Sequence, residues 1–219
     1  MNFQKVKNHP QVQEFLRQTR TALKNHAYTD HGLDHAELVS ARARSLARQI
    51  GLKEREQELS AIAGYCHDMA NFLSRRFHHY LGALLFQQIF SHIFKPADLA
   101  VVMQAIATHD KYEMEFASKV AAVLVLADKS DVRRSRVIVR DKKRIKEDIH
   151  NRVNFAARQS RIKVSAKQKR ITLTLKIDHN FVPLMEYFEI FTERMLFCRT
   201  AAKSLGFQFG LVINNFKLL

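Results

Sequence analysis

Three apolar stretches of this chain run without a break into titratable residues. Ala61–Cys66 leads into His67-Asp68, Val101–Thr108 into His109-Asp110, and Val120–Ala127 into Asp128. Segments this apolar are buried in a folded chain, and the acids at their ends are drawn in with them. A carboxylate buried without a partner is costly. Any fold of this sequence must therefore bring cations, either metal ions or Lys and Arg side chains, to the ends of these stretches. Taken singly, each has a bland explanation: a capping aspartate, a core histidine, an ion pair.

Two more histidine clusters lie between and before them. His31-Gly-Leu-Asp34-His35 places His31 and His35 four residues apart, on one helix face. His78-His79-Tyr-Leu-Gly82-Ala83 opens another apolar segment, and Gly82 and Ala83 permit close packing one turn beyond His78. Five such clusters on five successive helical segments are harder to dismiss than any one. Helices of a bundle can aim distant residues at one interior point. Imidazole and carboxylate together suit Mn, Fe, Zn or Co rather than calcium.

With only 6 Gly and 3 Pro in 219 residues, long helices are favoured. Apolar spacing and capping residues predict helices over Gln11–Lys24, from Thr29 or Asp30 as N-cap to Ile50, and over Glu54–Met69, His78–Phe94 and Pro96–Thr108. Gly51 is the expected residue after the second of these. Ala117–Val132 reads as the central buried helix, and Lys142–Arg158 as a charged one. The pattern then changes. Arg161–Val164 and Ile171–Ile177 alternate with period 2 and form an expected hairpin. A helix over Phe181–Leu205, ended by Gly206, and a strand over Phe207–Asn214 follow. The expected fold is mainly α: a helical bundle over residues 1–157 and a small α+β unit, ββαβ with one antiparallel sheet, over residues 158–219.

Cys66 and Cys198 are too few for a disulfide framework or a four-cysteine zinc site. Cys66 is simplest as a core residue. Met1–Pro10 has no apolar signal core and no window is apolar enough to span a membrane, so a cytoplasmic location without membrane attachment is expected. The net charge of +15 is concentrated in residues 132–170, where fifteen Lys and Arg face Asp141, Glu147 and Asp148. Such a segment is either a solvated face or a surface for phosphorylated ligands or nucleic acid.

The order H…HD…H…H…D, carried by His35, His67-Asp68, His78, His109 and Asp128, resembles that of the HD superfamily of metal-dependent phosphohydrolases. HGLDH, GYCHDMA, HHYLGA, AIATHD and LADKSD each resemble one helix of that family, and the resemblance spans roughly residues 25–135. It implies an HD-domain helical bundle that holds one or two divalent transition metal ions. One ion would take His35, His67, Asp68 and Asp128; the second would take Asp68, His78 and His109. His78 rather than His79 matches because the Gly-Ala pair follows it by four and five residues. Asp68, His67 and Asp128 would then be the catalytic residues, acting through a metal-activated hydroxide. The HHE and GYP elements of cyclic-dinucleotide phosphodiesterases are absent. The order is also similar to that of the symmetrical dinucleoside-tetraphosphate hydrolases of the superfamily.

Lys129, Arg133, Arg134 and Arg136, just past Asp128, are candidate phosphate ligands, and His31 and Asp131 candidate supporting groups. The expected function is hydrolysis of a phosphate ester or anhydride in a small, nucleotide-like substrate. An alternative is a nucleotide- or nucleic-acid-binding regulator, with the bundle as scaffold and residues 132–170 as its binding surface. The tail offers a seat for a homodimer contact.

Overall fold

The computed structural model describes residues 1–25, 29–111 and 115–219. Seven helices come first: α1 (Phe3–Lys7), α2 (Pro10–Asn25), α3 (Leu33–Gln49), α4 (Glu54–Cys66), α5 (His78–Phe90), α6 (Pro96–Thr108) and α7 (Lys119–Lys129). A 3₁₀ turn at Arg134–Arg136 and two short helices, α8 (Lys142–Glu147) and α9 (Ile149–Ala156), lead to the strands β1 (Ala157–Ser165) and β2 (Arg170–Ile177). The long helix α10 (Leu184–Ser204), then β3 (Gln208–Ile213) and β4 (Phe216–Lys217), complete the chain.

Helix α7 is the axis of the bundle. Every residue from Val120 to Lys129 is buried, and α3, α4, α6 and α10 all pack on it. Ser118 caps its start by accepting from the Ala121 N–H. Helices α3 and α4 approach closely at Gly64, where an added Cβ would lie 3.0 Å from backbone atoms of Ser40. That contact sets the depth of the α4 C-terminus, and so of His67.

Three expectations about the helices need correction. The second predicted helix begins at Leu33, with Gly32 as its N-cap, and not after Thr29 or Asp30. Residue 30 is instead pinned to the 3₁₀ turn: its N–H donates to the Arg136 carbonyl (2.6 Å), and Arg136 Nε donates to the Asp30 carbonyl (3.0 Å). The charged helix over Lys142–Arg158 is interrupted at Asp148. That residue is extended, and its carboxylate accepts from the Asn151 N–H at 2.7 Å, starting α9 afresh. An aspartate competes for backbone donors in this way and favours a cap over a helix interior. Three more helices stop short of their expected ends: α4 at Cys66, α5 at Phe90 and α7 at Lys129.

The sheet has order β1-β2-β3-β4 and is mixed. The hairpin β1–β2 is antiparallel, but β2 and β3 pair in parallel, Ile171 with Phe209, Leu173 with Leu211 and Leu175 with Ile213. The expectation of an antiparallel sheet fails because α10 is a crossover connection. A strand that leaves through a 21-residue helix along the sheet returns in its original direction. Ile171, Leu173, Leu175 and Ile177 are buried at alternate positions, as their period-2 pattern demands. No described helix is long and apolar enough to cross a membrane.

Candidate metal centre

Four histidines converge from four helix ends. His35 lies in the first turn of α3, His67 directly follows α4, His78 opens α5, and His109 directly follows α6. All four are buried, with Asp68 and with Asp128 from the end of α7. Their outer ring nitrogens are all engaged. Nδ1 of His67 meets the Gly64 carbonyl at 2.8 Å, Nδ1 of His78 the Arg75 carbonyl at 2.8 Å, and Nδ1 of His109 the Ile106 carbonyl at 2.6 Å. A carbonyl only accepts, so each of these Nδ1 atoms carries the proton. His35 Nδ1 meets Asp131 Oδ2 at 2.7 Å in the same sense. A neutral imidazole held this way turns a bare Nε2 lone pair inward, which is how a metal-ligating histidine is usually oriented.

The inward atoms form two groups that meet at Asp68. In the first, His35 Nε2 lies 3.2 Å from His67 Nε2, 3.4 Å from Asp68 Oδ2 and 3.2 Å from Asp128 Oδ1. His67 Nε2 is 3.3 Å from Asp68 Oδ2 and 3.6 Å from Asp128 Oδ1. In the second, His78 Nε2 lies 3.2 Å from Asp68 Oδ1 and 3.1 Å from His109 Nε2, which is itself 3.6 Å from Asp68 Oδ1. Donors bound at about 2.1 Å to one transition metal ion sit roughly 3.0–3.4 Å from their neighbours on the coordination shell. The separations in the two groups run from 3.1 to 3.6 Å, at and slightly beyond that spacing. Among the described residues, Asp68 Oδ2 receives no hydrogen bond although it is buried. A buried carboxylate oxygen facing two imidazole nitrogens is compatible with a cation held between them.

The electrostatics agree. Burial alone would lower the pKa of His67, but the charge of Asp68 and hydrogen bonds to Asp128 and Asp68 outweigh it and raise the pKa to about 10. Burial would raise the Asp68 and Asp128 carboxyls. Instead His67 and His31 hold Asp68, and Lys129 and His35 hold Asp128, well below the usual range. The cluster thus demands positive charge at its centre. Protons supply it when no metal does.

Asp131 supports from behind. Besides His35, it accepts from Arg133 Nε at 2.8 Å through Oδ1, while its backbone carbonyl accepts from Arg136 Nη1 at 3.0 Å. Lys129 Nζ bridges Asp110 (2.7 Å) and Asp128 Oδ2 (2.9 Å), which leaves Asp128 Oδ1 to face the histidines.

A small pocket of about 20 Å³ lies over the second group, bounded by Asp68, His78, His109 and Asp128 and walled by His31, Lys129 and Arg136. Of the four cations expected to meet phosphate, only Lys129 and Arg136 reach it. Arg133 is turned to Asp131 and the Asp34 carbonyl, and Arg134 lies over the Phe155 ring at 4.3 Å with its Nε on the Phe155 carbonyl. The chain leaves the helical path after Lys129, so the three arginines do not follow one helix face. The pocket wall also contains Arg75, Asp110 and Arg194, none of which the sequence marked as a site residue. Arg75 lies in the loop before His78 and carries no pattern. Arg194 had a signal: it sits among Phe191, Met195 and Cys198 on the buried stripe of α10, where a cation is out of place.

Arg75 and Asp110 also border a wider groove of about 1080 Å³, lined by Phe77, His79, Tyr80 and Phe116. His79, expected not to be a ligand, faces this groove, and among the described residues its Nδ1 has no partner.

Comparison with curated proteins gives no match. Among solved structures, the chain is similar to a predicted HD superfamily hydrolase from an uncultured Thermotogales bacterium, at 23% identity over 60% of this chain and 75% of that one, with a TM-score of 0.44. Residues 32–133, which contain every donor of both groups, match the family model of the HD domain.

Proposed function

We propose that this chain hydrolyses a phosphate ester or anhydride bond in a nucleotide-like substrate, with His35, His67, Asp68 and Asp128 holding one divalent transition metal ion and Asp68, His78 and His109 a second. The observation that carries this is the division of Asp68: Oδ2 faces His35 and His67, while Oδ1 faces His78 and His109. Ions bound there would polarise a phosphoryl oxygen and lower the pKa of a water.

The chain's own residues do the rest. Asp131 fixes the ring of His35, and Lys129 fixes the rotation of Asp128. Lys129 and Arg136 supply positive charge where a phosphoryl group gains negative charge. The pocket is small, so all but the reacting end of a substrate lies outside it. The remainder of the substrate therefore extends past Arg75 into the groove, where Phe77, Tyr80 and Phe116 offer faces for a nucleobase. Similarity of motif order to symmetrical dinucleoside-tetraphosphate hydrolases makes such dinucleotides one of the first substrates to try.

The test is metal analysis of the purified chain, followed by a nucleotide screen with the ions found. One to two transition metal ions per chain are expected. A folded chain that carries none, and takes up none when Mn, Fe, Zn or Co is added, sinks the proposal.

A nucleic-acid-binding role keeps one supporting observation. Arg158, Arg161, Lys163, Lys167 and Lys169 are exposed along β1 and the following turn. If that edge binds RNA or DNA, affinity falls steeply with salt as counterions are released.

A further inference from the structure

The C-terminal helix α10 carries a charged residue into a pocket otherwise built by the bundle and the segment that follows it. Arg194 is half-buried and lines the small pocket beside Asp68 and Asp128. Among the described residues, it makes no hydrogen bond or ion pair; its guanidinium carbon rests 4.8 Å from the Phe191 ring. Arg75 reaches the same pocket from the loop after α4 and, among the described residues, donates only to Asn71 Oδ1, at 2.9 Å. Arg136 reaches it from the 3₁₀ turn, buried, with Nε and Nη1 on backbone carbonyls. The nearby carboxylates are largely committed: Asp110 and Asp128 to Lys129, and Asp131 to His35, Arg133 and, at 3.7 Å, Arg136. Three guanidiniums from three separate elements thus share one pocket, and among the described residues neither Arg75 nor Arg194 pairs with any of its carboxylates. Burial pulls the Arg194 pKa down, and the charges of Arg136 and Arg75 lower it further, against the opposing pull of Asp128 and Asp110.

We infer that Arg75, Arg136 and Arg194 form a polyphosphate-binding subsite beside the Asp68 donor groups, and that α10 is therefore part of the substrate site rather than an appendage. Guanidinium forks match phosphate oxygens in pairs. Three of them exceed what one phosphoryl group needs, so the fitting ligand carries at least two linked phosphates. Arg75 borders both the pocket and the wider groove, so such a chain of phosphates runs from the Asp68 groups past Arg75 and out. This inference rests on the proposed function and narrows its substrate to phosphoanhydrides.

The experiment titrates the full chain, loaded with Mn, with tripolyphosphate and with inorganic phosphate by calorimetry, and records Mn content in parallel. Arg194→Gln and Arg75→Gln should keep the metal but weaken tripolyphosphate binding about tenfold or more, with a smaller effect on inorganic phosphate. Arg194→Lys should recover part of the loss. Arg199→Gln, an exposed position on the same helix, should bind like the parent. Folded Arg194→Gln protein with parental tripolyphosphate affinity overturns the inference and leaves the metal proposal standing. If the parent takes up none of Mn, Fe, Zn or Co, the metal proposal fails instead, and the titrations on metal-free protein decide the subsite: loss in Arg194→Gln upholds it, no change overturns it. Should Arg194→Gln not fold, Arg75→Gln decides in the same way.

Discussion

The bundle and the C-terminal sheet solve burial in opposite ways. The sheet and its helix bury Ile171, Leu173, Leu175, Phe191, Leu211 and Ile213 and keep nearly all their charges outside. The bundle buries a comparable apolar set but also takes in His35, His67, Asp68, His78, His109, Asp128, Lys129 and Asp131. An interior built for stability alone has no use for those eight groups, because apolar replacements of similar volume pack as well without the desolvation cost. The difference separates a region shaped by chemistry from one shaped by packing. Arg194 is the point where the second reaches into the first.

The sharpest way to test that separation is a pair of substitutions. Asp68→Asn removes one charge from the atom set shared by both donor groups. It should abolish metal-dependent hydrolysis and strip the chain of most of its metal, with the helical circular dichroism preserved. Leu173→Ala, in the fully buried middle of β2, should do the reverse: lose about 2–5 kcal/mol of stability in denaturant melts, with metal content per folded chain unchanged. His78→Ala should likewise cost more activity than His79→Ala, since only His78 faces Asp68. Equal metal loss in Asp68→Asn and Leu173→Ala would erase the distinction between the two regions.

A smaller effect probes the residue behind the ligands. Asp131→Asn keeps the size of the side chain but weakens its hold on His35 Nδ1 and on Arg133. Groups that orient a metal-ligating histidine are typically worth ~10–100-fold in metal affinity. Competition with a chromophoric chelator should show a loss in that range, and unchanged affinity would show that His35 needs no orienting partner.

Protonation gives a third contrast, between the metal-free and metal-loaded states of one region. The His67 pKa is raised in the fold from 6.5 to about 10, burial being outweighed by Asp68 and Asp128. A raised pKa stabilises the fold fully below pH 6.5, and that contribution is lost as pH rises through about 10. Metal-free protein should therefore melt at lower temperature near pH 10 than at neutral pH. Bound metal takes the place of the proton, so loaded protein should show a much smaller decline. Thermal melts of both forms across that window check it; parallel curves would count against the cluster as a metal site.

The same two regions were unequally legible. The donor set could be read because each member ends or opens an apolar run, so His67-Asp68, His109 and Asp128 violate hydropathy where they stand. Alternation in Ile171–Ile177 likewise announced a strand, and Pro96 the start of α6. Direction and rotation were not legible. Period 2 is the same for parallel and antiparallel pairing, and only the α10 crossover decides between them. Arg133 and Arg134 follow Asp128 in sequence, but the turn after Lys129 points them elsewhere. Arg75 enters the pocket through tertiary packing alone, which no local pattern encodes, and Arg194 is marked only as a cation on the buried stripe of α10.

Two glycines carry the smallest predicted effects, and they contrast the regions at the level of backbone. Gly64 lies in α4 where α3 passes over it; a methyl group there would sit 3.0 Å from the Ser40 Cα and N and 3.1 Å from the Val39 carbonyl carbon. Backbone cannot rotate aside, so Gly64→Ala must push two helices apart. Overpacking of this kind costs about 1–3 kcal/mol, more than the helix preference of alanine returns. Because His67 follows three residues later and bonds the Gly64 carbonyl, the shift should also weaken metal binding. Gly210 in β3 is also close to its surroundings, at 2.8 Å from Arg170 Nε and 3.1 Å from Thr172 Oγ1. Those atoms end side chains that can swing away, and alanine is no worse than glycine in a strand. Gly210→Ala should therefore change stability by no more than ~0.5 kcal/mol and leave metal binding untouched. Chemical denaturation and metal titration of both variants measure the contrast. A Gly210→Ala chain as damaged as Gly64→Ala would mean that the sheet is held as tightly as the bundle, and that its packing also positions the site.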